Sequence, residues 1–272
     1  MEQTLIVTTV KDKPELSDAG VELAKKLGCL FVPRNKRSFP LLAEEYRCDV
    51  IVTVGKSRLA AWVGGEEFFF HPSMALLRIM GLIKGETDRM VEAMQLKPGM
   101  SVLDCTLGFA SDAAVASFVS GPSGRVVGLE ASPVTATLVR HGLSNFRAKL
   151  HNGLEPAKAE ALRLLPPTMQ RITVVNTAYL EYFAHTAENS FDVVYFDPMF
   201  RIPQEGSASI SPLRRLACPD RVADTAIREA CRVARRRVIL KESYNSAEFA
   251  RLGFKLLPGG RYSRVAFGTI EL

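Results

Sequence analysis

Three acidic residues stand where short apolar runs stop, and each is followed by a turn. In VLDCTLGFASDA (Val102–Ala113) the run ends at Asp104. A turn with Thr106 and Gly108 follows, and then a helical pattern carrying Asp112. Glycine lets a backbone approach a bound molecule closely, and a helix amino terminus favours negative charge. The single glycine is too few for the G-x-G-x-x-G dinucleotide fingerprint, which argues against a nicotinamide cofactor and against pyrophosphate in general. An acidic strand end beside one close-approach glycine suits a ligand with a positive centre and an amino acid moiety. In VVGLEASP (Val126–Pro133), Glu130 follows Asp104 by 26 residues, and an ionised carboxylate there can accept from both hydroxyls of a ribose. In VVNTAY (Val174–Tyr179), the Asn176 amide is placed to read an adenine edge.

The third acid closes FDVVYFDPMFRI (Phe191–Ile202). Asp197 can accept a hydrogen bond from an amino group and the Pro198 carbonyl can accept another, while Phe200 offers a flat face worth about 1–3 kcal/mol per stacked base. An exocyclic base amine is a poor nucleophile because its lone pair is delocalised into the ring. Two acceptors that orient and polarise it act through positioning and electrostatics, with no covalent nucleophile. Each of these residues also has a plain structural use. Asp104 can cap a βα turn, Glu130 can serve a helix dipole, Asn176 is a common turn residue, and Asp-Pro followed by an apolar Phe is an ordinary strand exit.

The elements that must position these residues alternate. Thr4–Val10, Cys29–Pro33 and Val50–Val54 read as strands, with helices over Glu15–Leu27 and Pro40–Tyr46 and an extended or hairpin stretch over Arg58–Phe70 that turns at Gly64-Gly65. This predicts a small amino-terminal α/β domain over residues 1–70. From His71 to Leu96 the spacing is helical. Strands are then expected at 101–105, 125–130, 171–176, 191–197 and 236–242, with helices at 112–120, 133–143 and 220–234. Two closing extended pieces follow, at 254–258 and 264–272. Buried-strand runs alternating with helices predict an α/β fold with a mostly parallel sheet covered on both faces, and the final pair predicts a carboxy-terminal antiparallel hairpin. The second domain is expected to span residues 71–272.

Composition narrows the class. The chain has 272 residues, 47% hydrophobic and 24% charged, as an ordered globular protein does. Its five cysteines are odd in number and show no C-x-x-C pair, so neither a disulfide framework nor a zinc site is expected, and no metal is. MEQTLIVTTV lacks the basic region of a signal peptide, and FFFHPSMALLRIMGLI is broken by His71, Pro72, Ser73 and Arg78, so the expectation is a cytoplasmic protein without a membrane span. The net charge is +6, and nine arginines against four acids between Arg201 and Arg237 suit either a solvated surface or a polyanion such as RNA.

DCTLGFASDA together with VVYFDPMF resembles the class I S-adenosylmethionine-dependent methyltransferases. More narrowly, it resembles the 16S ribosomal RNA guanine-N2 methyltransferases, which share an Asp-Ala-Thr…Gly…Asp-Ala stretch and a DPMF turn. The resemblance covers about Val102 to Glu242. It implies a Rossmann-like fold with a seven-stranded sheet and S-adenosylmethionine as cofactor. Asp104, Thr106, Gly108 and Asp112 would lie at its methionine part and Glu130 at its ribose, with Ala131, Asn176 and Thr177 completing that side. Asp197, Pro198 and Phe200 would face the target base, most simply guanine N2 of ribosomal RNA, free or in the small subunit. His71 and Arg78 before the first motif, and Arg201, Arg214 and Arg215 after the turn, are the candidates for holding substrate. Met199 stands where the broader amino-directed motif has a second proline, and Lys241-Glu242 stands where close relatives of that family carry Lys-Arg-Pro. A small-molecule methyltransferase and a non-catalytic RNA-binding factor remain open as rivals, and the oligomeric state is not legible.

Overall fold

A computed structural model describes residues 4–198, 221–259 and 264–272. Two sheets account for every strand among these residues. The first is built from β1 (Leu5–Thr9), β2 (Leu30–Phe31), β3 (Val50–Val54), β4 (Leu59–Val63) and β5 (Glu66–Phe69), in the order β2-β1-β3-β4-β5. β1 pairs in parallel with β2 and β3, whereas β4 and β5 form an antiparallel hairpin on the β3 edge. α1 (Pro14–Leu27) covers one face, where Ala24 meets Val7, Val50 and Val52. α2 (Phe39–Tyr46) covers the other, where Leu42 meets Ile6 and Ile51.

After α3 (Ser73–Ile83) and α4 (Arg89–Met94) the second sheet begins. Its strands are β6 (Ser101–Asp104), β7 (Arg125–Leu129), β8 (Ile172–Val175), β9 (Phe191–Phe196), β10 (Ala234–Ser243), β11 (Lys255–Leu256) and β12 (Val265–Glu271). They lie in the order β11-β12-β10-β9-β6-β7-β8, parallel except at β12, which runs antiparallel to both β10 and β11. Numbered within this sheet the order is 6-7-5-4-1-2-3, so it reverses direction between β6 and β9. Such a switch point leaves a crevice beyond the strands' carboxyl ends.

β9 shows why this sheet is the core. Phe191, Val193, Val194, Tyr195 and Phe196 are each no more than 1% exposed, and burying a side chain of this size contributes about 1.5–3 kcal/mol. Alternation sends Val193 and Tyr195 to one face, under α3, α4, α5 (Ser111–Ser120) and α7 (Pro156–Gln170). It sends Val194 and Phe196 to the other, under α8 (Tyr179–Ala184), α9 (Asp224–Val233) and α10 (Glu248–Arg251). α6 (Pro133–Asn145) joins the two sheets: Val134 and Leu138 pack with the first sheet, and Val139 and Leu143 with the second.

α7 escapes the sequence pattern because Pro166 and Pro167 interrupt it. Each proline lacks an N–H, so the carbonyls four residues back lose their helical donors. The helix nevertheless continues to Gln170, since Ala161, Leu162, Leu165 and Met169 are buried on both sides of the prolines. The expected helix over 220–234 is shorter at its end, because Ala234 already pairs with Phe191 as the first residue of β10.

Candidate active site

β6 and β9 are neighbours in register, with Asp104 opposite Tyr195, so both chains leave the sheet at the switch point side by side. The loop after β6 is pinned across this gap. Thr106 N–H donates to Asp104 Oδ1 at 3.0 Å, and Thr106 Oγ1 accepts from the Asp197 N–H at 2.6 Å. On its other side, Leu107 N–H donates to the Leu129 carbonyl at 2.9 Å. Gly128 on β7 makes room for this packing, since a Cβ there would come within 2.3 Å of Leu107 Cδ1. Gly108 has φ +49°, a left-handed conformation that favours glycine, and among the described residues its missing Cβ would meet nothing nearer than 4.0 Å.

Asp104 is 2% exposed, and Thr106 N–H is its hydrogen-bond donor among the described residues. Burial, with the charges of Asp112 and Asp197 adding, pushes its pKa up to about 8. Glu130 accepts from Gly108 N–H at 3.1 Å and Ser132 N–H at 2.9 Å, while burial raises its pKa. Two backbone donors leave acceptor capacity on an ionised carboxylate for hydroxyls. The Asn176 amide nitrogen donates to the carbonyls of Glu130 (2.7 Å) and Ala131 (3.2 Å), so this group braces the β7 exit. Thr177 N–H donates to the Glu130 carbonyl at 3.2 Å, and its hydroxyl bonds to Glu181 at 2.7 Å.

Asp112 sits in a different setting from that expected. Arg78 and Lys241 both pair with it, Lys241 Nζ at 2.9 Å from Oδ2, and the Tyr195 hydroxyl donates to Oδ2 at 2.7 Å. Three donors hold its pKa well below the usual carboxylate range despite burial. It thereby holds Arg78, Lys241 and Tyr195 together beside the loop. Arg78, a candidate for holding substrate, is bound to the same carboxylate. Its guanidinium grips Asp88 with two bonds of 2.7 and 2.8 Å as well as Asp112, which leaves it committed beneath the loop. Asp88 in turn caps α4 through the N–H groups of Met90 and Val91, both at 3.1 Å.

Lys241 and Tyr195 belong to the site although their sequence context does not single them out. Leu240 pairs with Phe196, so the next residues, Lys241 and Asp197, emerge together, and Lys241 Nζ lies 2.6 Å from Asp197 Oδ2. The signal was the position of Lys241 at a strand's carboxyl end beside the strand ending in Asp197. Burial pushes Asp197 up to about 7, with the Asp112 charge adding and the Lys241 ammonium holding it down. Lys241 is raised by its two carboxylate partners. Pro198 is half-buried, and Phe200, Arg201, Arg214 and Arg215 lie outside the described residues.

His71 lies beside the loop, its Nδ1 3.0 Å from Ser73 Oγ and its ring edge-on to Phe109 at 5.7 Å. The described end of the arginine cluster lies elsewhere. Arg235 and Arg236 pair with Asp192, and Arg237 bonds Gln95, at the amino ends of β9 and β10. Arg232 donates to the carbonyls of Phe183 and Thr186 at 2.8 and 2.7 Å, as an internal brace. These four point away from the edge that carries Asp197. Among the described residues, no group of three or more His, Cys, Asp or Glu side chains is placed to hold a metal ion, and no helix is long and apolar enough to cross a membrane.

A seven-stranded sheet of this order, with acidic strand ends meeting at its switch point and no dinucleotide fingerprint, defines the class I S-adenosylmethionine-dependent methyltransferases. Comparison with known proteins agrees: the family model described as "Putative SAM-dependent methyltransferase" matches residues 69–252, and the chain belongs to that family. Its cofactor is S-adenosylmethionine. The uncharacterized protein YpiP of Bacillus subtilis is 37% identical over 254 residues, 93% of this chain and 94% of that protein. Ribosomal RNA small subunit methyltransferase J of Coxiella burnetii is 30% identical over 179 residues, 64% of this chain and 62% of that relative's length. The SAM-dependent methyltransferase NGO1261 from Neisseria gonorrhoeae shares the fold, with a TM-score of 0.59 at 16% identity over 98% of this chain and 96% of that one.

Proposed function

We propose that the chain methylates an exocyclic amine of a nucleic-acid base, guanine N2 of ribosomal RNA, within a catalytic domain spanning residues 71–272 that carries a small α/β domain, residues 1–70, at its amino end. The observation that carries this reading is the 2.6 Å bond from the Asp197 N–H to Thr106 Oγ1, which sets an amine-accepting carboxylate directly against the loop of Asp104 and Gly108. The kinship with methyltransferase J supports RNA as the substrate class. S-adenosylmethionine supplies an electrophilic methyl group on a sulfonium. Asp104, Thr106 and Gly108 hold its methionine part, while Glu130, Ala131, Asn176 and Thr177 shape the ribose and adenine side. Asp197 and the Pro198 carbonyl accept the two amine hydrogens, and Phe200 stacks on the ring. Nucleoside mass spectrometry of ribosomal RNA from cells with and without the gene tests this. Loss of one N2-methylguanosine is expected, and an unchanged pattern overturns the assignment.

Two charge effects follow from the same site. Asp104 is mostly neutral at pH 7 because its pKa stands near 8. A cation docking on it lowers that value, so binding S-adenosylmethionine releases a proton and tightens as pH rises toward 8. Calorimetry in buffers of different ionisation enthalpy should show the release. Asp104→Asn should abolish it and weaken binding by roughly 10- to 100-fold, the worth of a hydrogen bond to a charged group.

Lys241 supports the ionised form of Asp197, which is the form that accepts from an amine. Lys241→Met removes the ammonium, so Asp197 titrates above its present value of about 7. The acidic limb of the pH–rate profile should move to higher pH, with activity regained under alkaline conditions. A limb that stays in place would show that Lys241 has no hold on Asp197.

A further inference from the structure

The parallel strands of the first sheet end along one edge, and that edge is basic. β1 runs out into Lys11-Asp12-Lys13, β2 into Arg34-Asn35-Lys36-Arg37, and β3 into Gly55-Lys56-Ser57-Arg58. These exits are tied to one another. Val10 N–H donates to the Val54 carbonyl at 3.0 Å, Arg34 Nη1 to the Val10 carbonyl at 3.1 Å, and Asn35 N–H to Asp12 Oδ1 at 3.3 Å. Asn35 and Lys36 are both left-handed (φ 48° and 61°), in a tight turn closed by Arg37 N–H on the Arg34 carbonyl at 2.9 Å, which holds Lys36 out in solvent. Arg37 and Arg58 have acidic partners, Glu45 at 2.6 Å and Glu67 at 3.2 Å. Lys11, Lys13, Lys36 and Lys56 are exposed and have no ion-pair partner among the described residues. Four solvated ammonium groups on one sheet edge make a field suited to a polyanion.

This edge runs into the candidate active site. β5 lies antiparallel to β4 with Phe69 opposite Ala60, so the chain leaves β5 on the same side as the basic exits. The Arg58 guanidinium covers the Phe69 ring at 3.7 Å, Phe69 meets His71 at 6.1 Å, and His71 meets Phe109 at 5.7 Å. Phe109 adjoins Gly108, whose N–H holds Glu130. Cations interleaved with partly exposed rings, leading to the catalytic loop, are the pattern of a groove that tracks a nucleic-acid backbone and stacks its bases. We infer that the carboxyl edge of the amino-terminal sheet is an RNA-docking surface. Lys11, Lys13, Lys36 and Lys56 take phosphates of the segment flanking the target nucleotide, and Phe69 and His71 lie along its path to Asp197. The inference rests on the RNA reading proposed above and assigns the amino-terminal sheet a part in it.

The test is a titration of 16S ribosomal RNA transcript at several salt concentrations, followed by fluorescence anisotropy. Each lost phosphate contact lowers the slope of log affinity against log salt by about 0.7–0.9. The variant with Lys11→Gln, Lys13→Gln, Lys36→Gln and Lys56→Gln should therefore lose a slope of about 3 and bind at least about tenfold more weakly near 0.1 M salt. Its heat of association with S-adenosylmethionine should match the wild type, which also shows that it folds. Lys25→Gln with Lys26→Gln, in the last turn of α1 at the opposite edge, should leave RNA affinity unchanged. A quadruple variant that binds the transcript as the wild type does overturns the surface while leaving the RNA reading standing. The same holds for a variant that loses only adhesion to anionic phospholipid vesicles. A wild type that takes up S-adenosylmethionine but never binds the transcript overturns the RNA reading and the surface together.

Discussion

Asp197→Ala should slow methyl transfer to 16S ribosomal RNA by about 10²- to 10³-fold, the usual cost of deleting one preorganised electrostatic partner of a reacting group. Lys241 holds Asp197 Oδ2 at 2.6 Å and Thr106 fixes the backbone, so the carboxylate is oriented before any substrate arrives. Preorganisation of this kind is what makes the term large, because little reorganisation accompanies the reaction. Removing the side chain should not unfold the protein, since Lys241 keeps Asp112 at 2.9 Å and the loop keeps its Thr106 contacts. The discriminating measurement is single-turnover incorporation of labelled methyl into RNA from cells lacking the gene, beside calorimetry of S-adenosylmethionine binding. The rate should collapse while the binding heat persists. A variant that transfers methyl at the wild-type rate would remove Asp197 from the chemistry and would favour a small-molecule acceptor or a non-catalytic role.

The parts of the molecule visible in the sequence are those fixed by local pattern. β9 carries an apolar run from Val193 to Phe196 that is followed at once by a carboxylate, and such a run has few options besides a strand buried on both faces. Asp104 and Glu130 were visible because a strand exit is read from its own neighbours. Lys241 and Arg78 were harder, for the same reason inverted. Lys241 gains its meaning from Asp197, 44 positions earlier, through the pairing of β10 with β9. Arg78 gains its own from Asp112 across two intervening elements. For the described arginines at the end of the run between 201 and 237, α9 carries the chain from one edge of the sheet to the other. Charges adjacent in sequence, such as Arg235 and Arg236, thus end up far from the Asp197 exit. Helix α7 shows the remaining limit, since two prolines signal a break locally and only tertiary burial outweighs them.

Arg78→Ala should cost about 3–5 kcal/mol of stability, the range for deleting one member of a buried ion pair and stranding the other charges. The guanidinium is 22% exposed and sits between Asp88 and Asp112, themselves 10% and 12% exposed, so little water can replace it. For a chain of this length such a loss lowers the melting temperature by on the order of 10 °C. Arg78→Lys keeps the charge but not the two-pronged grip on Asp88, and should fall between wild type and alanine. The effect should also depend on pH with a definite sign. Asp88 and Asp112 are both held below their ordinary pKa values, Asp88 chiefly by Arg78 against the cost of burial, and Asp112 by Lys241 and Arg78 together. Groups depressed in the folded state stabilise it above their unfolded pKa near 4, and that contribution is lost as pH falls through the folded values. The gap between wild type and Arg78→Ala should therefore be full at pH 7 and should narrow as pH drops from 4 toward 3. Thermal melts across that range decide the matter. A gap that is small at pH 7, or that widens in acid, would mean that the guanidinium acts through packing and not through the charges it bridges.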